Sequence, residues 1–182
     1  MSWPRAEALR TERLSLEPLT ERHASEMVTT LAPTELYRFT GGEPPTLEQL
    51  EARYRRQARG QSKDGHAGWM NWILRPVVGG PPVGFIQATL TRDAAGLVAD
   101  LAWLVTPSEQ GRGLAGEGTS AVATWLTSIG VGRLQASVRP GHVASERVAQ
   151  RLGLTPTSTV VEGETLWCTV TTLQTDPPGV AT

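Results

Sequence analysis

The sequence predicts an α+β fold in which helices flank a mixed, mostly antiparallel central sheet. Apolar periodicity and turn residues predict the element order β-α-α-β-β-β-α-β-α-β-β. Three strands follow one another in the middle with only short turns between them, so we expect them to pair antiparallel. The strand–helix–strand unit that comes next adds a parallel pair. A doubly wound fold would alternate strands and helices throughout, so this order argues against one.

Capping and turn residues set the bounds of these elements. Thr20 and Thr46 precede helical patterns and can cap them, because a threonine hydroxyl accepts from the free N–H groups of a first turn. Gly153 follows the last helical pattern and ends it. In chain order we predict a strand at 13–19, a helix at 20–31, a loop at 33–45, a helix from 46, a turn at 60–68, strands at 69–78, 83–91 and 97–105, a helix that includes 118–129, a strand at 134–138, a helix at 142–152, and strands at 157–161 and 165–171.

Length and composition restrict the class of protein. At 182 residues we expect one domain at 11–173, a loose lead-in at 1–10 and a flexible tail at 174–182. The net charge of -1 argues against a nucleic-acid partner. No apolar segment reaches membrane-spanning length, so we expect no membrane association and a cytoplasmic location, as a monomer or homodimer. Arginine greatly outnumbers lysine, which is typical of a GC-rich, bacterial genome. One cysteine and scattered histidines predict no metal site.

The chain is organised around residues 101–118, where an apolar strand leads through a glycine-rich turn into a helix. The turn reads Gln110-Gly111-Arg112-Gly113-Leu114-Ala115. A helix start presents free backbone N–H groups and the positive end of the helix dipole, which together suit a phosphate or pyrophosphate. Glycine is favoured there because a Cβ resists positive φ and keeps an anion away from the backbone.

Three interpretations of this turn compete. Gly111, Gly113 and Gly116 match the dinucleotide pattern GxGxxG, and Arg139 after the next strand would then contact the 2′-phosphate of NADP. Five residues separate the strand from the first glycine, however, which is unusual for that motif. Alternatively, the turn binds no ligand. The third interpretation rests on Gln110, Gly113 and Ala115, which resemble the Q/R-x-x-G-x-G/A signature with which the GNAT acetyltransferase superfamily binds the pyrophosphate of acetyl-CoA.

The rest of the chain strengthens the GNAT resemblance. Residues 11–19, 100–117 and 143–154 resemble, in order, three sequence blocks of the Rim-type branch, whose named members acetylate the N-termini of ribosomal proteins. The resemblance implies a GNAT fold over roughly residues 10–172, acetyl-CoA as cosubstrate, an amine acceptor and no metal. Two positions depart from the family pattern. His142 replaces the usual asparagine, and Ala149 lies where many GNAT enzymes carry a tyrosine general acid.

The resemblance also implies roles for individual residues. Asp100 is the first candidate for the general base, with Glu117 as a second, although either carboxylate has an ordinary structural explanation. Ser145 would assist the thiolate leaving group, unless its hydroxyl bonds the backbone at the helix start. The residues expected to contact the cosubstrate are Leu104, Val105, Gln110, Gly111, Arg112, Gly113, Leu114, Ala115, His142 and Ser145. The residues expected around the acceptor are Tyr37, Phe39, Trp69, Trp72 and Trp103.

We therefore predict an N-acetyltransferase that moves an acetyl group from acetyl-CoA to a primary amine, either a protein N-terminus or a small molecule. The amine must lose a proton before it attacks, which is why a carboxylate base is sought. The main alternative is a catalytically silent GNAT-fold module that binds CoA or a partner.

Overall fold

The computed structural model describes residues 3–169, which form one eight-stranded sheet with five α-helices. The strands are β1 (Leu9–Arg10), β2 (Leu14–Pro18), β3 (Gly68–Pro76), β4 (Gly84–Asp93), β5 (Gly96–Val105), β6 (Val131–Val138), β7 (Leu154–Val161) and β8 (Glu164–Thr169). The helices are α1 (Ala24–Thr30), α2 (Tyr37–Thr40), α3 (Leu47–Gln57), α4 (Leu114–Ser128) and α5 (Val143–Arg151).

The sheet has the strand order β1-β2-β3-β4-β5-β6-β8-β7. Every neighbouring pair is antiparallel except β5 and β6, which are parallel and are connected through α4. The predicted α+β class with a mixed, mostly antiparallel sheet is confirmed. The parallel pair follows from the long crossover, because two parallel strands cannot be joined by a tight turn.

Helices cover both faces of the sheet. On one face, α1 and α3 bury Met27, Leu50 and Tyr54 against Ile73 of β3. On the other face, α4 and α5 enclose the larger core, to which alternate residues of β2 to β6 contribute. We call these the α1/α3 face and the α4/α5 face. Gly118 permits the close contact of α4 with the sheet, since a Cβ there would lie 2.9 Å from the Ile86 Cδ1 atom.

The N-terminal segment differs from the prediction of a loose lead-in at 1–10. Leu9–Arg10 form a strand that pairs with β2, and Trp3 packs against the main core. The indole of Trp3 also donates a hydrogen bond to the carbonyl oxygen of Gly65. A strand of two residues is too short to show an alternating pattern in the sequence. It forms because its backbone pairs with β2.

The predicted loop at 33–45 also contains regular structure. A 3-10 turn at Thr34–Leu36 leads into α2, which Gly41 ends with a φ of 72°. The other predicted elements are confirmed with shifts of a few residues at their ends, and Thr46 caps α3 by accepting from the N–H of Gln49. The predicted tail at 174–182 and the last residues of the predicted final strand lie outside the described part of the chain.

Candidate active site

A cleft opens where β5 and β6 separate. Their parallel pairing ends at Asp100 and Gln135, although β5 continues to Val105 and β6 to Val138. Past this point β5 remains paired with β4, and β6 with β8. The gap widens into a cleft of about 500 Å³ that Leu104, Val105 and Ser137 help to line. Alternate backbone N–H groups of residues 101–105 therefore face a gap instead of a partner strand.

The glycine-rich turn lies at one side of this cleft. Gln110 and Ala115 line it, and the Gln110 side-chain amide donates to the Val105 carbonyl oxygen at 2.8 Å. Gly111 and Gly113 have φ values of 75° and 78°, which only glycine adopts freely. Within residues 3–169 no side chain caps the first turn of α4, so its leading N–H groups are open to an external acceptor.

The residues at 111–114 of this turn do not line the cleft. Leu114 is buried in the main core and anchors the start of α4. Arg112 is largely exposed and pairs with Glu109. Gly111 and Gly113 contribute their backbone conformation. The turn therefore offers a ligand mainly backbone groups, in line with the prediction for the helix start.

Glu117 connects the turn to the N-terminal segment. Its carboxylate accepts from the Thr11 hydroxyl at 2.5 Å and from the Arg13 backbone N–H at 3.0 Å. The Arg13 guanidinium donates to the same carboxylate and also to the carbonyl oxygen of Arg112, at 2.8 Å. Burial raises the pKa of Glu117, but these hydrogen bonds outweigh it and the pKa falls below its usual range. A carboxylate with these partners is a poor proton acceptor, so the structure favours the structural explanation of Glu117 over the role of base.

Asp100 lies at the closed end of the gap. Its Oδ2 accepts a hydrogen bond from the Gln135 side-chain amide at 3.0 Å. Asp100 does not itself line the cleft. Ala102, two residues after Asp100 on β5, does line it, and so does Ser137, two residues after Gln135 on β6. Residues two apart lie on the same face of a strand. Burial raises the pKa of Asp100, and the hydrogen bond from Gln135 only partly opposes this. The carboxyl group is thus partly desolvated and close to the opening.

The start of α5 forms the wall opposite the turn. His142 caps this helix, because its Nδ1 accepts from the N–H of Ser145 at 3.1 Å. The imidazole also contacts Phe39, with 4.2 Å between ring centroids. Ser145 lines the cleft, and its hydroxyl has no hydrogen-bond partner among residues 3–169. The hydroxyl is free to meet a ligand, whereas the backbone N–H is already used.

Comparison with known families decides the class of this protein. The sequence profile of the acetyltransferase (GNAT) domain matches residues 13–155, which is most of the chain. The chain belongs to the GNAT acetyltransferase family. The prediction of an N-acetyltransferase is thereby confirmed. No sequence among the curated proteins is similar enough to this acetyltransferase to count as a match.

Solved structures share the fold. RimL, a ribosomal L7/L12 alpha-N-protein acetyltransferase in complex with coenzyme A, aligns with a TM-score of 0.72 and 15% identity over 89% of this chain and 97% of its own. An acetyltransferase of Thermus thermophilus aligns with a TM-score of 0.68 and 23% identity, over 88% and 98%. An aminoglycoside acetyltransferase in complex with coenzyme A aligns with a TM-score of 0.69 and 19% identity, over 85% and 93%.

The acetyltransferase does not bring all five predicted aromatic residues together. Phe39 and Trp103 line the cleft. Trp103 lies on the opposite face of β5 from Asp100, because the two are three residues apart, and it packs against the α4/α5 core. The Tyr37 hydroxyl donates to the Leu31 carbonyl oxygen at 2.9 Å, and Trp69 lines a separate, smaller cleft.

The prediction for Trp72 was wrong. This side chain is fully buried on the α4/α5 face, where it packs edge-on against Trp125 with 5.6 Å between ring centroids. Its indole N–H donates to the carbonyl oxygen of Glu7. An apolar strand pattern does not reveal which face a tryptophan joins, because that depends on the register with the neighbouring strands.

Sequence reasoning missed several cleft residues of this acetyltransferase. Ala102 and Ser137 could have been found by counting two residues onward from Asp100 and Gln135, since alternate residues share a face. Glu35, Arg139 and Glu164 also line the cleft. Arg139 entered the sequence analysis only through the dinucleotide interpretation, and no sequence signal placed the two glutamates beside it.

Two further properties concern ions and membranes. Within residues 3–169, no three side chains of the His, Cys, Asp or Glu type are grouped as a metal ion would require. Over the same range, no helix is both long and apolar enough to cross a lipid bilayer.

Proposed function

We propose that this acetyltransferase moves an acetyl group from acetyl-CoA to a primary amine by direct attack of the amine on the thioester. The carrying observation is that the uncapped start of α4, the free edge of β5 and the Asp100 end of the gap all meet one continuous cleft. A thioester and an amine that enter from opposite faces of the sheet would meet in this gap. Acetyl transfer needs such a passage because both reactants must reach one carbonyl carbon.

The cosubstrate would lie along the α4/α5 side. The open N–H groups at the start of α4 suit the pyrophosphate, since backbone donors and the helix dipole both favour an anion. A β5 edge without a partner strand suits the amide groups of the pantetheine arm, which can pair with it as an added strand would. RimL and the aminoglycoside acetyltransferase, which share the fold, were solved in complex with coenzyme A, and this supports CoA as the ligand of this protein.

Asp100 would accept the proton that the amine must lose, through a positioned water. An α-amino group has a pKa near 8 and is partly neutral at pH 7, whereas a lysine with a pKa near 10.4 is almost entirely protonated. A carboxylate whose pKa lies above its usual value is a stronger base than an exposed one. The Gln135 amide, at 3.0 Å, keeps the carboxylate oriented at the gap.

Ser145 and the free edge of β5 would stabilise the charges that develop during transfer. The Ser145 hydroxyl can donate to the departing thiolate, because no other described residue occupies it. A backbone N–H near Leu104 or Val105 can donate to the carbonyl oxygen as it becomes negative. Ala149 is fully buried and carries no hydroxyl, so it supplies no general acid. The alternative is the catalytically silent module, which would bind CoA in the cleft but would not catalyse acetyl transfer.

Thermal unfolding with acetyl-CoA, CoA and NADPH, followed by turnover assays, tests the proposal. A ligand at 100 times its Kd adds about 2.7 kcal/mol to the free energy of unfolding. We expect both CoA species to raise the melting temperature and NADPH to leave it unchanged. Release of CoA is then measured with a panel of amines. Stabilisation by CoA without turnover of any amine would favour the silent module, and no stabilisation by CoA would contradict the whole proposal.

A further inference from the structure

Arg139 is an unpaired cation in the cleft. It follows directly after β6 and is one of the residues that line the cleft. Its Nε is shielded from solvent and has no hydrogen-bond partner in the described part of the chain. The guanidinium makes no ion pair with any residue in 3–169. Five other arginines have carboxylate partners within that range, namely Arg13, Arg55, Arg75, Arg112 and Arg133. The remaining arginines within residues 3–169 also form no ion pair, but none of them lines this cleft.

No carboxylate among residues 3–169 neutralises the guanidinium of Arg139. Val138 pairs with Thr165, so Arg139 is next to Glu164 across the β6–β8 ladder. Both side chains line the cleft, yet they form no ion pair. The Arg139 Nη1 lies against the β7–β8 turn, since a Cβ on Gly163 would be 3.5 Å from it. The guanidinium therefore belongs to a residue of the cleft lining and is not paired with a described carboxylate, and its planar fork of donors suits a carboxylate ligand.

The position of Arg139 indicates the acceptor side of the cleft. Arg139 continues the alternation of Gln135 and Ser137 along β6, which places it on the Asp100 side of the sheet. The bodies of α4 and α5 pack on the opposite face, through Leu114 and Ala149. Glu35, which precedes α2, is a second carboxylate in the cleft without an ion-pair partner among the described residues. The cleft thus combines one unpaired cation with two unpaired carboxylates.

We infer that the acceptor carries a carboxylate close to its amine, and that Arg139 binds this carboxylate. The inference rests on the proposed function and deepens it. A guanidinium binds a carboxylate through two parallel hydrogen bonds, which fixes the orientation of the acceptor as well as its charge. Glu164 and Glu35 would attract the ammonium form as the acceptor enters. The acceptor is therefore of the amino-acid type, and an amine without an anionic group would leave Arg139 unpaired.

The test compares each of several amino acids with its own primary amide, which lacks only the carboxylate charge. For the wild-type enzyme, we expect kcat/KM to be at least about tenfold higher for the acids than for the amides. In Arg139→Gln, the acids should fall to the level of the amides, while the affinity for acetyl-CoA is unchanged. Arg139→Lys should restore only part of the preference, because an ammonium lacks the two-pronged geometry.

Arg147→Gln is the matched control, since Arg147 is an exposed arginine on α5 that does not line the cleft. It should retain the wild-type preference, and melting temperatures verify that each variant folds. A second pair of acceptors, Asp-Ala amide and Asn-Ala amide, tests whether the carboxylate can come from the side chain of a peptide N-terminus. A higher kcat/KM for the aspartyl peptide than for free amino acids would show that the acceptor is a peptide whose first side chain supplies the carboxylate.

Three outcomes would overturn the inference. An equal kcat/KM for acids and amides would do so, and so would an acid preference that survives Arg139→Gln. A loss of acetyl-CoA affinity in Arg139→Gln that matches the loss of activity would assign the cation to the cosubstrate. The proposed function fails separately, and the inference with it, if acetyl-CoA binds and the wild-type enzyme acetylates no amine of any kind.

Discussion

At the scale of single residues, Asp100 combines partial burial with one hydrogen bond from Gln135. If it is the base, Asp100→Asn should lower kcat/KM by about 10²–10⁴, the usual contribution of proton transfer. The activity of the wild-type enzyme should fall as the pH decreases through the raised pKa of this carboxyl. Steady-state kinetics across pH measure both effects. A loss below about tenfold would remove Asp100 as the base.

The stability of Asp100→Asn provides its control. A raised pKa means that the folded protein binds the proton more tightly than the unfolded chain does. Asp100 therefore favours folding below its unfolded pKa, and this contribution is lost as the pH rises through the folded pKa. At pH 7 the asparagine variant should be as stable as the wild type or more stable, so its loss of activity cannot be attributed to unfolding.

Ser145 permits a second test at this scale. Its hydroxyl has no partner in the described part of the chain, and the cap of α5 uses only its backbone N–H. Ser145→Ala should lower kcat, by roughly tenfold for the loss of one donor to the leaving group, and leave the melting temperature unchanged. Ser128→Ala, at the end of α4, is the matched control. An unchanged kcat in Ser145→Ala would assign no chemical role to this hydroxyl.

At the scale of elements, the glycine-rich turn is hydrogen-bonded to Arg13, which lies between β1 and β2, 99 residues before Arg112. The Arg13 guanidinium joins Glu117 in α4 to the carbonyl oxygen of Arg112. Arg13→Ala should lower the free energy of unfolding by only about 1 kcal/mol, because the arginine is partly exposed. It should weaken CoA binding as well, since the turn loses its support. Arg55→Ala, which removes an exposed ion pair with Glu21, should leave the affinity for CoA unchanged by calorimetry.

The part of β5 that diverges from β6 lies in close contact with β4. A Cβ on Gly84 would lie 2.0 Å from the carbonyl oxygen of Leu104, so Gly84→Ala must displace the end of β5. We expect a loss of about 1–3 kcal/mol in the free energy of unfolding, together with weaker CoA binding. Gly132→Ala on β6 is the control, because its Cβ would meet only an ordinary contact at 3.9 Å. Equal effects of the two substitutions would contradict this explanation.

At the scale of the whole molecule, the opening between β5 and β6 lies between the two faces of the sheet. A cosubstrate on the α4/α5 face and an acceptor on the α1/α3 face would meet where these strands part. Amide hydrogen exchange should therefore show that CoA adds protection at residues 101–115 and at the start of α5, and none in the turn at 60–68. Protection spread evenly over the sheet would indicate general tightening instead of a site in this gap.

The sequence by itself determined the order of the longer elements, the cap of α3 and the glycine-rich turn. Each depends on interactions between neighbours in the chain: the period of the apolar residues, the hydroxyl of Thr46 at a helix start, and the positive φ of Gly111 and Gly113. The resemblance carried by Gln110, Gly113 and Ala115 led to the correct family for the same reason, because a glycine-rich turn at a helix start is a local structure.

Only the tertiary structure decided which side chains share the cleft. The register of β3 against its neighbours turned Trp72 into the core, and the end of β5–β6 pairing placed Asp100 at the gap. Pairing between distant strands left Arg139 next to Glu164 without an ion pair. Strand register and helix packing arise from contacts between residues far apart in sequence, and a one-residue shift exchanges the two faces of a strand. No local pattern carries that information.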